Sequence, residues 1–146
     1  MNGLIAAHSG LRYIILLLLL IAIINALLNR NSDTYSKKDK MINLFTMIFL
    51  HLQLVLGLIL YFISDKVQFV EGMMGDAKFH FFAIEHALIM FFAILLVTIG
   101  RGKAERHPIN KIRHKLVFRY YGIGLILIFI AIPWPFIYPE LGAGWF

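Results

Sequence analysis

The sequence predicts an all-α protein: an integral-membrane, antiparallel four-helix bundle with both termini extracytoplasmic. Three observations carry this expectation. First, 60% of the 146 residues are hydrophobic and only 15% are charged, against roughly 45–50% apolar and about 25% charged in a soluble domain. The mean hydropathy is accordingly high, at +0.79. Second, the apolar residues fall into four long runs. Third, the basic residues cluster in alternate connections between those runs. A chain of this length is expected to form one domain, 1–146.

The elements follow in order. A spanning helix needs about 20 mostly apolar residues to cross about 30 Å of hydrocarbon. The runs that qualify are 4–28, 42–63, 79–99 and 116–132. The first has no basic leader and no small-x-small cleavage site, so it reads as a span and not a removable signal. The fourth ends at Pro133, where a helix loses its next N–H donor. Connection 29–40 carries Arg30, Lys37, Lys38 and Lys40. Connection 100–115 carries Arg101, Lys103, Arg106, Lys111, Arg113 and Lys115. Segment 64–78 balances Lys66 and Lys78 with Asp65, Glu71 and Asp76. Positive-inside bias then places the two basic connections in the cytoplasm, in a multi-pass protein of the cytoplasmic membrane. Trp134, Tyr138 and Trp145 read as an interfacial aromatic belt behind the last span.

Several function classes drop out. There is no cysteine, so disulfides, thiolate zinc sites, iron–sulfur clusters and covalent c-type haem attachment are excluded. Phosphate-loop, nucleophile-elbow and zinc-protease motifs are absent. The net charge of +6 is explained by the attraction of basic loops to anionic lipid. No aromatic-interleaved basic face accompanies it, so nucleic acid is not an expected partner.

Function must then come from the polar exceptions, because ionisable groups in a span are costly and face a partner or cavity. They are His8 and Arg12 in the first span, His51 and Gln53 in the second, Glu85 and His86 in the third, and Arg119 in the fourth. From the outer boundary, at about 1.5 Å per residue, His8 lies roughly 6 Å deep, Glu85 roughly 9 Å, His86 roughly 10 Å, Arg12 roughly 12 Å and His51 roughly 18 Å. Imidazoles from different helices can clamp a haem as axial ligands. His8 and His86, closest in depth, are the first expected pair, and His51 with His86 the second. Arg12 is expected to pair with Glu85 or with a haem propionate. Arg119, near the cytoplasmic end, is expected to snorkel to lipid phosphate. The histidines could instead serve as interhelical hydrogen-bonding glue. Met73, Met74 and His80 form a weaker constellation whose thioether and imidazole donors suit Cu(I).

The motifs also carry a resemblance. His8-Ser9-Gly10-Leu11-Arg12-Tyr13 opens the first span. Asn43-Leu44-Phe45-Thr46 and the run from His51 to Leu58 build the second. Glu85-His86 and Thr98-Ile99-Gly100-Arg101 bracket the third, and Ile132-Pro133-Trp134-Pro135-Phe136 closes the fourth. Over about 4–136 this resembles a family of small bacterial four-span membrane proteins usually labelled cytochrome b. The resemblance implies haem b, an electron-transfer role in the bacterial inner membrane, and His8, His51 and His86 as ligand positions with Arg12 and Glu85 beside them. The chain departs from the large respiratory cytochromes b in having four spans and in lacking two His pairs spaced along two helices.

The expectation is a haem-b-binding electron-transfer protein, or a cytochrome-b-like subunit of a larger membrane complex, rather than a stand-alone enzyme. Its partners would be the bilayer, other membrane subunits and a quinol donor. The alternatives are a cofactor-free accessory subunit and a copper-handling membrane protein.

Overall fold

A computed structural model describes residues 2–69, 71–141 and 144, with Met73 described by its backbone alone. Helix is the regular structure throughout the described residues. Four long helices dominate: α1 (Asn2–Leu28), α2 (Lys37–Ile63), α3 (Ala77–Arg106) and α4 (Asn110–Ala131). Each is long and apolar enough to cross a membrane. Single 3₁₀ turns lie at Met73–Gly75 and Pro139–Leu141.

The helices outrun the apolar stretches that predict them. Hydropathy sees only the hydrocarbon-matched part, whereas a helix continues until its backbone groups find other partners. α2 starts at Lys37 because Ser36 and Asp39 form a capping box: Asp39 N donates to Ser36 Oγ (3.3 Å) and Ser36 N donates to Asp39 Oδ2 (2.7 Å). α3 contains a feature with no sequence signature, a π-helical segment at Phe81–Glu85. Its closing bond runs from His86 N–H to Phe81 O.

Each long helix contacts two neighbours, in the cycle α1–α2–α3–α4–α1, so α1 and α3 stand at opposite corners. The tightest seam is α3 against α4. A Cβ at Gly100 would lie 2.2 Å from Tyr120 Cβ, and one at Gly124 would lie 2.8 Å from Val97 Cγ2. Glycine is what lets these backbones approach.

The two ends of the bundle differ. Towards the basic connections the interior is solid: Leu19, Ala22, Val97 and Val117 are fully buried. That end is closed by hydrogen bonds drawn from all four helices and the 29–36 connection. Asn25 Nδ2 donates to Asp39 Oδ1 (2.7 Å). Asn43 Nδ2 donates to Tyr35 Oη (2.8 Å), which donates to Glu105 Oε1 (3.4 Å). Tyr121 Oη donates to Asn43 O (3.0 Å), and the buried His114 donates from Nε2 to Thr34 O (3.0 Å). The other end holds a cavity.

Candidate functional site

The cavity has a volume of about 410 Å³, inside the range of small-molecule and cofactor sites. His8 and Arg12 of α1, Gln53 and Gly57 of α2, and His86 of α3 all line it. The i, i+4 spacing of His8 and Arg12 puts them on one face of their helix.

His86 is held by a chain of causes that begins with proline. α4 ends before Pro133 and Pro135, which have no N–H. The carbonyls four residues earlier, Phe129 O and Ala131 O, therefore lose their helical donors. Trp134 Nε1 donates to the first (3.0 Å) and His86 Nδ1 lies 2.8 Å from the second. A carbonyl can only accept, so Nδ1 carries the proton and Nε2 presents its lone pair. Phe81 and Phe82 flank the imidazole, with ring centroids at 6.0 and 6.2 Å.

His8 comes from the opposite corner. Its ring centroid is 6.4 Å from that of His86, with the planes at 68°. Its backbone carbonyl accepts a hydrogen bond from Gln53 Nε2 (2.8 Å). Its ring leans on Gly57, where a Cβ would come within 3.2 Å of His8 Cε1. His8 Nδ1 is buried without a hydrogen-bond partner, a costly state in an apolar interior.

Arg12 is buried, with 8% exposure. Its Nη2 donates to Tyr13 Oη (3.0 Å), and its guanidinium carbon is 5.7 Å from the Trp134 ring centroid, within cation–π range. Trp134 is thus turned inward instead of forming an aromatic belt, and Trp145 lies outside the described residues. Arg119 is exposed on the outer surface of α4.

The expected pairing of Arg12 with Glu85 does not form. The Glu85 carboxylate lies 2.9 Å from His80 Nδ1. An α-helix separates residues i and i+5 by about 140°, whereas the wider π turn brings them towards one face. The π segment therefore aligns Glu85 with His80, on the half-exposed side of α3.

His51 does not join His8 and His86. It lines a shallow pocket on the outer surface of α2. Its Nδ1 lies 2.8 Å from Met47 O, and its Nε2 is 3.4 Å from Thr98 Oγ1 on α3. That is a helix-to-helix link. The copper constellation is not assembled either: Met74 is exposed, His80 is engaged by Glu85, and the Met73 side chain lies outside the described residues. Two further cavity residues carried no signal in the sequence. Lys66 follows α2, and its ammonium is 5.2 Å from the Phe82 ring centroid. Burial and then the charge of Lys78 lower its pKa. Tyr61 also lines the cavity and donates from Oη to Ala83 O within the π segment (2.9 Å).

The donor set discriminates between cofactors. Among the described residues no group of three or more His, Cys, Asp or Glu could hold a metal ion. A bare ion such as zinc takes three or four protein ligands. Haem iron brings four nitrogens in its own ring and asks the protein for only one or two. Two histidines are therefore too few for a bare zinc ion but enough for a haem iron.

Fold and site together define an all-helical chain with four helices of membrane-spanning length and hydropathy, enclosing a cavity lined by two histidines. No protein-family model, curated protein or solved structure matches the chain.

Proposed function

We propose that this protein binds one haem b in a bacterial cytoplasmic membrane and serves as an electron carrier. On this reading the helices form an antiparallel bundle, with both termini and the cavity on the extracytoplasmic side. The carrying observation is that His8 and His86, on opposite corners of the bundle, meet across one cavity with ring centroids 6.4 Å apart. The resemblance to the small four-span proteins labelled cytochrome b supports the same reading.

Haem supplies a one-electron couple when bound. The chain's own residues do the rest. His86 offers Nε2 as a ligand because Ala131 O holds Nδ1, the outer-shell bond that orients ligating histidines. His8 is the second ligand, supported against α2 by Gln53 and Gly57. Arg12 places a buried positive charge beside the site and is the partner for a propionate. The apolar walls exclude water. A membrane quinol is the natural donor, and a partner subunit or extracytoplasmic protein the acceptor.

An absorption spectrum of the purified protein tests this. A Soret band that shifts on dithionite reduction is expected. It should be lost in His86→Ala, strongly altered in His8→Ala and retained in His51→Ala. A colourless protein, or a spectrum indifferent to His86→Ala, overturns the reading. Stoichiometric copper in its place supports the copper-handling alternative, and a metal-free protein co-purifying with other subunits supports the accessory role.

A further inference from the structure

The two cavity histidines are not equally provided for. His86 has a carbonyl, Ala131 O, 2.8 Å from its Nδ1. His8 Nδ1 is buried with no hydrogen-bond partner. Gln53, which lines the same cavity, has a buried Oε1 that is likewise without a partner. Its amide is already tied to the same residue, because Gln53 Nε2 donates to His8 O (2.8 Å). That bond settles which end of the amide is which, since a backbone carbonyl only accepts and the NH2 must face it. The imidazole also leans on the helix that carries Gln53. Gly57 lies four residues beyond Gln53, on the same face of α2, and a Cβ there would meet His8 Cε1 at 3.2 Å and Nδ1 at 3.8 Å. A bare ring nitrogen and a bare carbonyl thus share one seam between α1 and α2. Each buried group left unmet costs about 1–3 kcal/mol, and a single bond between them would remove both costs.

We propose that Gln53 is the positioning residue for His8: its Oε1 accepts a hydrogen bond from His8 Nδ1–H, made by a turn of the imidazole in the space that Gly57 leaves open. The bond fixes the Nδ1–H tautomer and leaves the Nε2 lone pair free for a ligand, as Ala131 O does for His86. The two supports differ in kind. Ala131 O belongs to the main chain, so its bond does not depend on which side chain stands there. The acceptor for His8 is a side chain, so its strength is open to substitution, and a stronger acceptor makes the imidazole a more basic ligand. The ligand role of that lone pair rests on the haem reading, but the tautomer does not.

The test uses nitrogen NMR of the full chain in lipid vesicles, with isotope-labelled histidine and no hemin. The His8 resonances are identified by their loss in His8→Ala. They are expected to show a protonated Nδ1 and a bare Nε2. Gln53→Leu should move at least half of this signal to the Nε2–H form, whereas Gln53→Glu, which keeps an acceptor, should retain Nδ1–H. Both variants lose the amide that donates to His8 O, so a role confined to that bond would make them behave alike. With hemin as the probe, Gln53→Leu is expected to weaken binding about tenfold and to raise the reduction potential, and Gln53→Glu to lower the potential. A bare His8 Nδ1 in the unsubstituted protein, or equal behaviour of the two variants, overturns the proposal. The Nδ1–H form in a protein that gives no Soret band with hemin keeps the bond and removes the haem reading. A Soret band that His86→Ala abolishes, alongside a bare His8 Nδ1, keeps the haem and removes the bond.

Discussion

Gly57 has no side chain, and the His8 imidazole uses that space. In Gly57→Ala the new methyl would sit 3.2 Å from His8 Cε1, so the ring must yield by a few tenths of an ångström. Hemin affinity is expected to fall by about fivefold, or about 1 kcal/mol, in a titration of the purified protein, with helix content unchanged. Gly100 differs in kind: its Cβ would overlap Tyr120 Cβ at 2.2 Å. Gly100→Ala is expected to destabilise the bundle by about 1–3 kcal/mol through overpacking, measured as a lower denaturant midpoint in detergent. Tyr35 gives a pH prediction. Burial, reinforced by the Glu105 carboxylate and opposed by the Asn43 hydrogen bond, pushes its phenol up to about 12. The folded state therefore holds this proton more tightly than the unfolded chain, whose phenol titrates near pH 10. The stabilisation is complete below pH 10 and is lost as pH rises towards 12. Tyr35→Phe should flatten the alkaline fall in thermal stability over that window, and an unchanged slope would refute the assignment.

At the scale of the element, the apolar runs made all four helices legible, because a span is a matter of length and hydropathy. Their true ends were less so, being set by caps and prolines. Ser36→Ala removes the capping box of α2 and should cost about 0.5–2 kcal/mol, again read as a denaturant midpoint. The π segment was illegible, since nothing in Phe81–Glu85 distinguishes it from α-helix in sequence. The Arg12–Glu85 expectation failed there. It rested on similar depth alone, which says nothing of the face on which Glu85 lies, and the π segment sets that carboxylate beside His80. From sequence, Pro133 marks the end of the fourth span. The larger effect of Pro133 and Pro135 is to free two carbonyls, one of which fixes the His86 ring, and that follows only once the helices are side by side.

For the whole molecule, the site was half legible. Composition singled out His8, His51 and His86 as intramembrane imidazoles, and the structure brings two of them together. The third is spent linking α2 to α3. No periodicity could separate these roles, because they depend on which neighbour each helix meets. Orientation is testable on the cysteine-free background. Single cysteines at Asp33 and His107 should react with a membrane-impermeant maleimide only from the cytoplasmic side, and one at Gln68 only from the opposite side. The reverse pattern would invert the proposed topology.

The unequal ends of the bundle also have an electrical meaning. The dense interior around Leu19, Val97 and Val117, stoppered by the Asn43 and Tyr121 bonds, resists the passage of charge because it is tightly packed and apolar. In an energised membrane the voltage drop concentrates across such a plug. A unit charge driven through it would do work of about 2.3 kcal/mol for each 100 mV. On the electron-carrier reading, a charge delivered to and withdrawn from His8 and His86 at the cavity end crosses little of that field, so turnover should proceed at nearly the same rate whether the membrane is polarised or not.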